Sequence, residues 1–188
     1  PPPPPRPPPT HTPQDSSAAS DVYKRQVLGG YVVALINHPH TRNDLWGGVP
    51  ESLRPWITSF MFVSAFGYCT AMYYLVFKDG MQLDFFRGKV SENFFLGVVI
   101  IFLVSASMWI HTTFAYMHSP SKLLWSFVQA ELWITGLSIF LLFFIILTAS
   151  GVKNHYLHFA SLVGLGAITF HCLFLDAFLW INRFPIKH

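Results

Sequence analysis

His111, Glu131, His158, His171 and Asp176 stand inside stretches that are otherwise apolar. A central carboxylate in hydrocarbon costs at least about 2.5 kcal/mol on insertion scales, so such side chains face a protein interior or a water-filled cavity. Two imidazoles and two carboxylates gathered at one depth have the chemistry of a proton relay or of a pocket for a small polar ligand. A zinc or iron site from His111, Glu131 and His171, or haem held between His111 and His171, is the competing chemistry. Each donor would then come singly from a separate helix, and the Glu-x-x-His pairs of di-metal bundles are absent. No metal site and no cofactor is therefore assigned.

A third use of these residues is structural. Glu131 would pair with His111, the nearest by depth across the tight Pro120 turn, or with His171, and Asp176 with Arg183 or the headgroup region, satisfying buried polar groups and pinning helix register. The chain has no Gly-rich phosphate loop, no Gly-x-Ser-x-Gly elbow and no His-Glu-x-x-His. These absences argue against nucleotide-dependent transport, a standard hydrolase and a zinc protease. No residue receives a catalytic role, and the reading leans away from an enzyme.

The elements that must position these groups are four long apolar runs, Trp56 to Phe77, Phe94 to Met117, Leu123 to Ala149 and Tyr156 to Ile181. Each is long enough, at about 1.5 Å per residue, to cross a hydrocarbon core of about 30 Å. Barrel strands would alternate with a period of two, whereas these runs stay apolar throughout, so helices are expected. Polar breaks at Lys78 to Glu92, Ser119 to Lys122 and Ser150 to Asn154 allow antiparallel neighbours. The fold class expected is all-α: an integral membrane four-helix bundle running up-down-up-down. No internal repeat is visible.

Composition agrees. The chain is 52% hydrophobic and only 11% charged, where soluble domains carry about a quarter charged residues. The net charge of +3 comes from basic residues scattered among Trp and Phe, so nucleic acid is not an expected partner. Cys69 and Cys172 lie in apolar runs, which excludes a secreted disulfide scaffold.

Side one denotes the side of the Lys78 to Glu92 loop and the Gly151 turn. Side two holds Arg54, the Pro120 turn and the residues after Ile181. Counting inward from side two places His111, Glu131, His171 and Asp176 roughly 9 to 17 Å deep, while His158 lies near side one. On the third span Glu131, Thr135 and Ser138 share a face, and on the second Ser107 and His111 do. On the fourth, Ser161, Leu165, Cys172 and Asp176 form one stripe, and His171 points about 100° away from Cys172. His171 and Asp176 are thus not required to face one cavity. The first span adds Ser59, Ser64, Gly67 and Thr70 without charge.

Trp46, Trp56, Trp125 and Trp180 fall near side-two ends, where indoles favour the headgroup level. The Lys and Arg count on the two sides does not choose an orientation. Gly97, Gly136, Gly164 and Gly166 offer close helix approach in lipid. The 19 phenylalanines exceed what one bundle interior can hold, so many must face lipid or a partner.

Before the spans, residues 1–26 are Pro-rich and then Ser/Thr/Ala-rich, with the composition of a disordered segment. Ser20 to Gln26 resembles a translated sequencing-adaptor fragment, which would make everything up to Gln26 foreign to the fold. Val27 to Ile36 is half a span long, either the tail of a longer helix or a short packing segment. Asn37 to Pro50 mixes His, Arg, Asp and Trp with turn formers, as a headgroup-facing connector or an ordered loop over the side-two mouth. His38 and His40 have no partner cluster nearby.

The organisation expected is residues 1–26 disordered, 27–54 a short apolar segment and side-two loop, 55–182 the bundle and 183–188 a short tail. The function expected is that of a polytopic membrane protein with a polar pocket of His111, Glu131 and His171, with Asp176 near its mouth and Ser107 and Thr135 as further candidates. It would bind or pass a small ligand or proton, or serve as an accessory subunit. The alternative is a membrane enzyme or electron carrier using the same histidines with a lipid-like substrate, metal or haem. Expected partners are the lipid bilayer and a homo-oligomer or larger membrane complex.

Overall fold

A computed structural model of the chain describes residues 29–78 and 83–186. The expectations for 1–26, for Val27 and Leu28, for the loop tip at 79–82 and for the last two residues lie outside the described residues. The elements are α1 (29–37), a short 3-10 turn at Arg42–Trp46, α2 (Arg54–Phe77), α3 (Glu92–His118), α4 (Lys122–Leu147) and α5 (His155–Arg183). Helices α2 to α5 are the four long apolar rods, each able by length and composition to cross a membrane. Among the described residues the only extended pairing is a single bridge between Asp84 and Ser150, which ties the two side-one connections together.

Local signals in the sequence set the starts of the rods. Ser91, Ser121 and Asn154 each accept from the backbone N–H three residues on, at Phe94, Leu124 and Leu157, so three of the four rods begin with a side-chain cap. The other, α2, begins with Pro55 in its first turn, where the missing N–H costs nothing. Ends come at Lys78, Ser119 and Thr148, where polar connections replace the apolar runs.

In the bundle α3 packs along α4, α2 along α5, and α4 against α5. Although consecutive, α2 and α3 are not close backbone neighbours. They meet through side chains such as Tyr68 and Phe102, whose ring centroids are 5.3 Å apart. The side-one half of the core is apolar, built on Leu75, Phe95, Phe102, Leu142, Ile145, Ile146 and Leu165.

At side two the core is aromatic: Tyr116, Trp125, Trp180 and Phe184 pack together with Val49 and Ala177. Trp125 and Trp180 are therefore interior residues, not headgroup anchors, and of the four side-two indoles Trp56 is the one that is exposed. Much of the phenylalanine does face outward, Phe62, Phe66, Phe159, Phe174 and Phe178 among it. An apolar exterior of this kind and the length of the rods fit a small polytopic membrane protein.

Of the glycines expected to permit close approach, Gly164 does so most closely, with Gly67 as its partner. A Cβ built on Gly67 would lie 2.5 Å from the Gly164 Cα, so the backbones of α2 and α5 touch there. Gly136 sits against Leu173 and Cys172 of α5, while Gly97 has nothing within 4 Å and Gly166 only an ordinary contact with Phe143.

Segment 29–37 packs on α3. Ala34 is buried with Ile110 and Phe114, and Tyr31 joins them. The connection to α2 is ordered over the side-two end: Trp180 Nε1 donates to the Leu45 carbonyl at 2.6 Å and the Gly48 N–H to the Arg183 carbonyl at 2.9 Å. Gly47 adopts φ +51°, and any Cβ there would run into Phe184. The glycine pair thus lets the loop lie on the end of α5.

Candidate functional site

Between Phe170 and Ile181 the fourth rod changes its winding. His171–Trp180 is π-helical, ten residues with α-helix on either side. Its hydrogen bonds reach back five residues, as the Ile181 N–H does to the Asp176 carbonyl. Residues five apart are thereby brought nearer to one face than α winding would bring them. His171 Nε2 comes within 3.6 Å of Asp176 Oδ2.

In α-helical winding these two positions would diverge by about 140°. The pairing corrects the expectation that His171 and Asp176 need not share a cavity. The imidazole is buried at 7% exposure and faces Phe60 of α2, with ring centroids 6.1 Å apart. The Asp176 side chain keeps 30% of its surface accessible. His171 Nδ1 is buried and has no hydrogen-bond partner.

The short helix α1 adds a residue that sequence reading missed. Tyr31 donates from its hydroxyl to the Ala106 carbonyl at 3.1 Å and accepts from Trp109 Nε1. Desolvation pushes the Tyr31 phenol above its ordinary value; donation from Trp109 opposes this, and the fields of Asp176 and Cys172 add to it. Tyr31 thus belongs to the surroundings of Asp176. The sequence signal was slight: one hydroxyl in an apolar run too short to be a span.

A second polar cluster occupies the α3–α4 seam. Thr112 Oγ1 donates to Glu131 Oε1 at 2.9 Å. Thr135 Oγ1 lies 2.8 Å from both Ser105 Oγ and the Glu131 carbonyl. Glu131 Oε2 is buried without a partner.

His111, the partner expected for Glu131, is exposed and lies beside Gly30 of α1. The reason is helical phase: Ser105 and Thr112, seven residues apart, form the α3 stripe that meets α4, and His111 points about 100° off it. Ser107 likewise turns to its own helix, donating to the Val104 carbonyl. The four ionisable candidates take part in separate contacts. Glu131 and Thr135 belong to the α3–α4 seam, His171 and Asp176 to the π-helical stretch, and among the described residues no hydrogen bond or ion pair joins the two groups.

No family model, curated protein or solved structure matches this chain.

Among the described residues no three His, Cys, Asp or Glu side chains converge as metal ligands would. Thr112→Val should leave both carboxylate oxygens of Glu131 without a donor and cost about 1–3 kcal/mol. His111→Phe should leave stability within about 0.5 kcal/mol, as surface substitutions do. Urea unfolding in mild detergent distinguishes the two, and a larger loss for His111→Phe would contradict this assignment.

Proposed function

We propose that this membrane protein binds a proton, or a small polar ligand in its place, at His171 and Asp176 in the side-two half of the bundle. The observation that carries the reading is the pair itself: a buried imidazole 3.6 Å from a partly accessible carboxylate within a π-helical stretch. Departures from α to π geometry are frequent at functional sites. An ionisable pair at membrane depth is a functional feature by default.

The side-one half of the core, being apolar, supports uptake and release at side two better than passage across the bilayer. The Thr112–Glu131 contact crosses from α3 to α4 and suits a pin between those helices. Nothing in the described geometry favours metal or haem over this reading. Association with a second copy or another membrane subunit is part of the same proposal, and cross-linking in native membranes that returned only monomer would count against it.

The decisive experiment is a pH titration of the full chain in lipid nanodiscs, following carboxyl infrared absorption. A titrating carboxyl band should vanish in Asp176→Asn and shift its midpoint in His171→Gln. A band unchanged in Asp176→Asn would sink the proposal.

A further inference from the structure

The direction in which Asp176 points follows from the winding around it. With hydrogen bonds reaching back five residues, a π-helix turns by roughly 82° per residue, so from His171 at zero Asp176 lies at roughly 50°, Cys172 at roughly 80° and Leu173 at roughly 165°. His171 faces Phe60 of α2. Leu173 and the Cys172 carbonyl face Gly136 of α4. Asp176 therefore points between α2 and α4, across the middle of the bundle toward α3, and away from the exposed Phe174 and Phe178. The accessible 30% of its side chain opens into the interior of the side-two half, where α2 and α3 stand apart.

Aromatic rings flank the carboxyl there. Trp180, four residues on, lies roughly 30° away around the helix. It meets Trp109 of α3 with ring centroids 5.6 Å apart, and Trp109 meets Tyr31 of α1 at 6.0 Å. The field of Asp176 reaches the Tyr31 phenol. Each of these rings has its hydrogen committed elsewhere. Trp180 Nε1 donates to the Leu45 carbonyl, Trp109 Nε1 to the Tyr31 hydroxyl, and that hydroxyl to the Ala106 carbonyl. Among the described residues the ionic neighbour of Asp176 is His171, and no Lys or Arg pairs with it.

We propose that the side-two half of the bundle binds a small alkylammonium ion, with Asp176 as its counter-charge and the rings of Tyr31, Trp109 and Trp180 around it. A carboxylate turned into a bundle without a hydrogen donor requires a cation. Aromatic faces attract one through their quadrupole, indole most strongly. Hard metal cations need several oxygen ligands, which rings do not supply.

The inference names the polar ligand of the His171–Asp176 pair and rests on that reading. Ammonium and proton exclude each other, because the cation binds the ionised carboxyl; bound cation therefore lowers the pH at which Asp176 takes up its proton. The titratable groups around Asp176 are His171 and Cys172 on its own helix and Tyr31 on α1, while α2 and α3 bring Phe60 and Trp109.

The test follows the carboxyl infrared band of the full chain in nanodiscs of zwitterionic lipid, with propylammonium chloride, with potassium chloride at equal ionic strength, and with propanol. Above its Kd, propylammonium should lower the Asp176 midpoint by about one pH unit per tenfold increase in concentration. It should also change tryptophan fluorescence in the wild type and not in Asp176→Asn. Trp109→Leu should weaken propylammonium about tenfold, and Trp109→Phe, which keeps a ring, by less.

A midpoint that ignores propylammonium, or that potassium or propanol moves equally, overturns the proposal. So does unchanged affinity in Trp109→Leu. Should that variant fail to fold, the wild-type comparison of propylammonium with potassium and propanol still decides. A titrating Asp176 band indifferent to propylammonium defeats the ammonium site and leaves proton binding standing. A fluorescence response that depends on Asp176, without a titrating band, does the reverse.

Discussion

Gly164→Ala is expected to destabilise the bundle by about 3 kcal/mol, the upper end of the usual cost of overpacking. The added methyl would stand 2.6 Å from the Gly67 Cα, against backbone that cannot rotate away as a side chain would. Relief requires α2 and α5 to separate along a seam that also carries the Phe60–His171 and Tyr74–His158 contacts. In lipid no water is released when helices meet, so their association depends on close packing and interhelical hydrogen bonds.

Gly97→Ala provides the contrast. Nothing lies within 4 Å of a Cβ there, and alanine in place of helical glycine should add about 0.5–1 kcal/mol. Reversible unfolding of the two variants in mixed detergent checks both signs. Equal small effects would mean that the α2–α5 crossing is looser than the structure shows.

How far such features can be read in a sequence depends on the distance over which they are determined. The four rods were legible because hydrocarbon thickness demands long unbroken apolar runs, and Ser91, Ser121 and Asn154 mark their starts locally. Gly164 could be named as a close-packing residue, but its partner Gly67 could not, because nothing local says that α2 lies along α5. The partner of Glu131 was misplaced by one residue, from Thr112 to His111. Depth along a helix can be counted from its ends, whereas the face it turns to a neighbour depends on packing. Tyr31 reaches Ala106 and Trp109 across more than seventy residues of chain, a contact that no spacing rule supplies.

The least legible feature, π winding at His171–Trp180, has the largest expected functional consequence. Moving the carboxylate back by one residue, as Leu175→Asp in an Asp176→Ala background, should not restore the lost titration. In an ordinary α-helix that move would be favourable, since positions 171 and 175 would be neighbours on one face. In the π stretch positions 175 and 176 fall on opposite sides of the His171 direction, and it is the carboxylate at 176 that reaches Nε2.

Asp176→Glu keeps the carboxyl at the working position and should retain a titrating band with a displaced midpoint. The relocated variant should lose the response to His171→Gln entirely. Rescue by Leu175→Asp would show that this stretch relaxes to α winding in the membrane, and the His171–Asp176 pair would then no longer depend on the π register. Failure of rescue in a folded variant would tie proton binding to the winding of the helix, and through the Trp180–Leu45 and Arg183–Gly48 hydrogen bonds to the loop over side two. Any change of winding on proton uptake must then move that loop, because both of its anchors sit at or beyond the end of the π stretch.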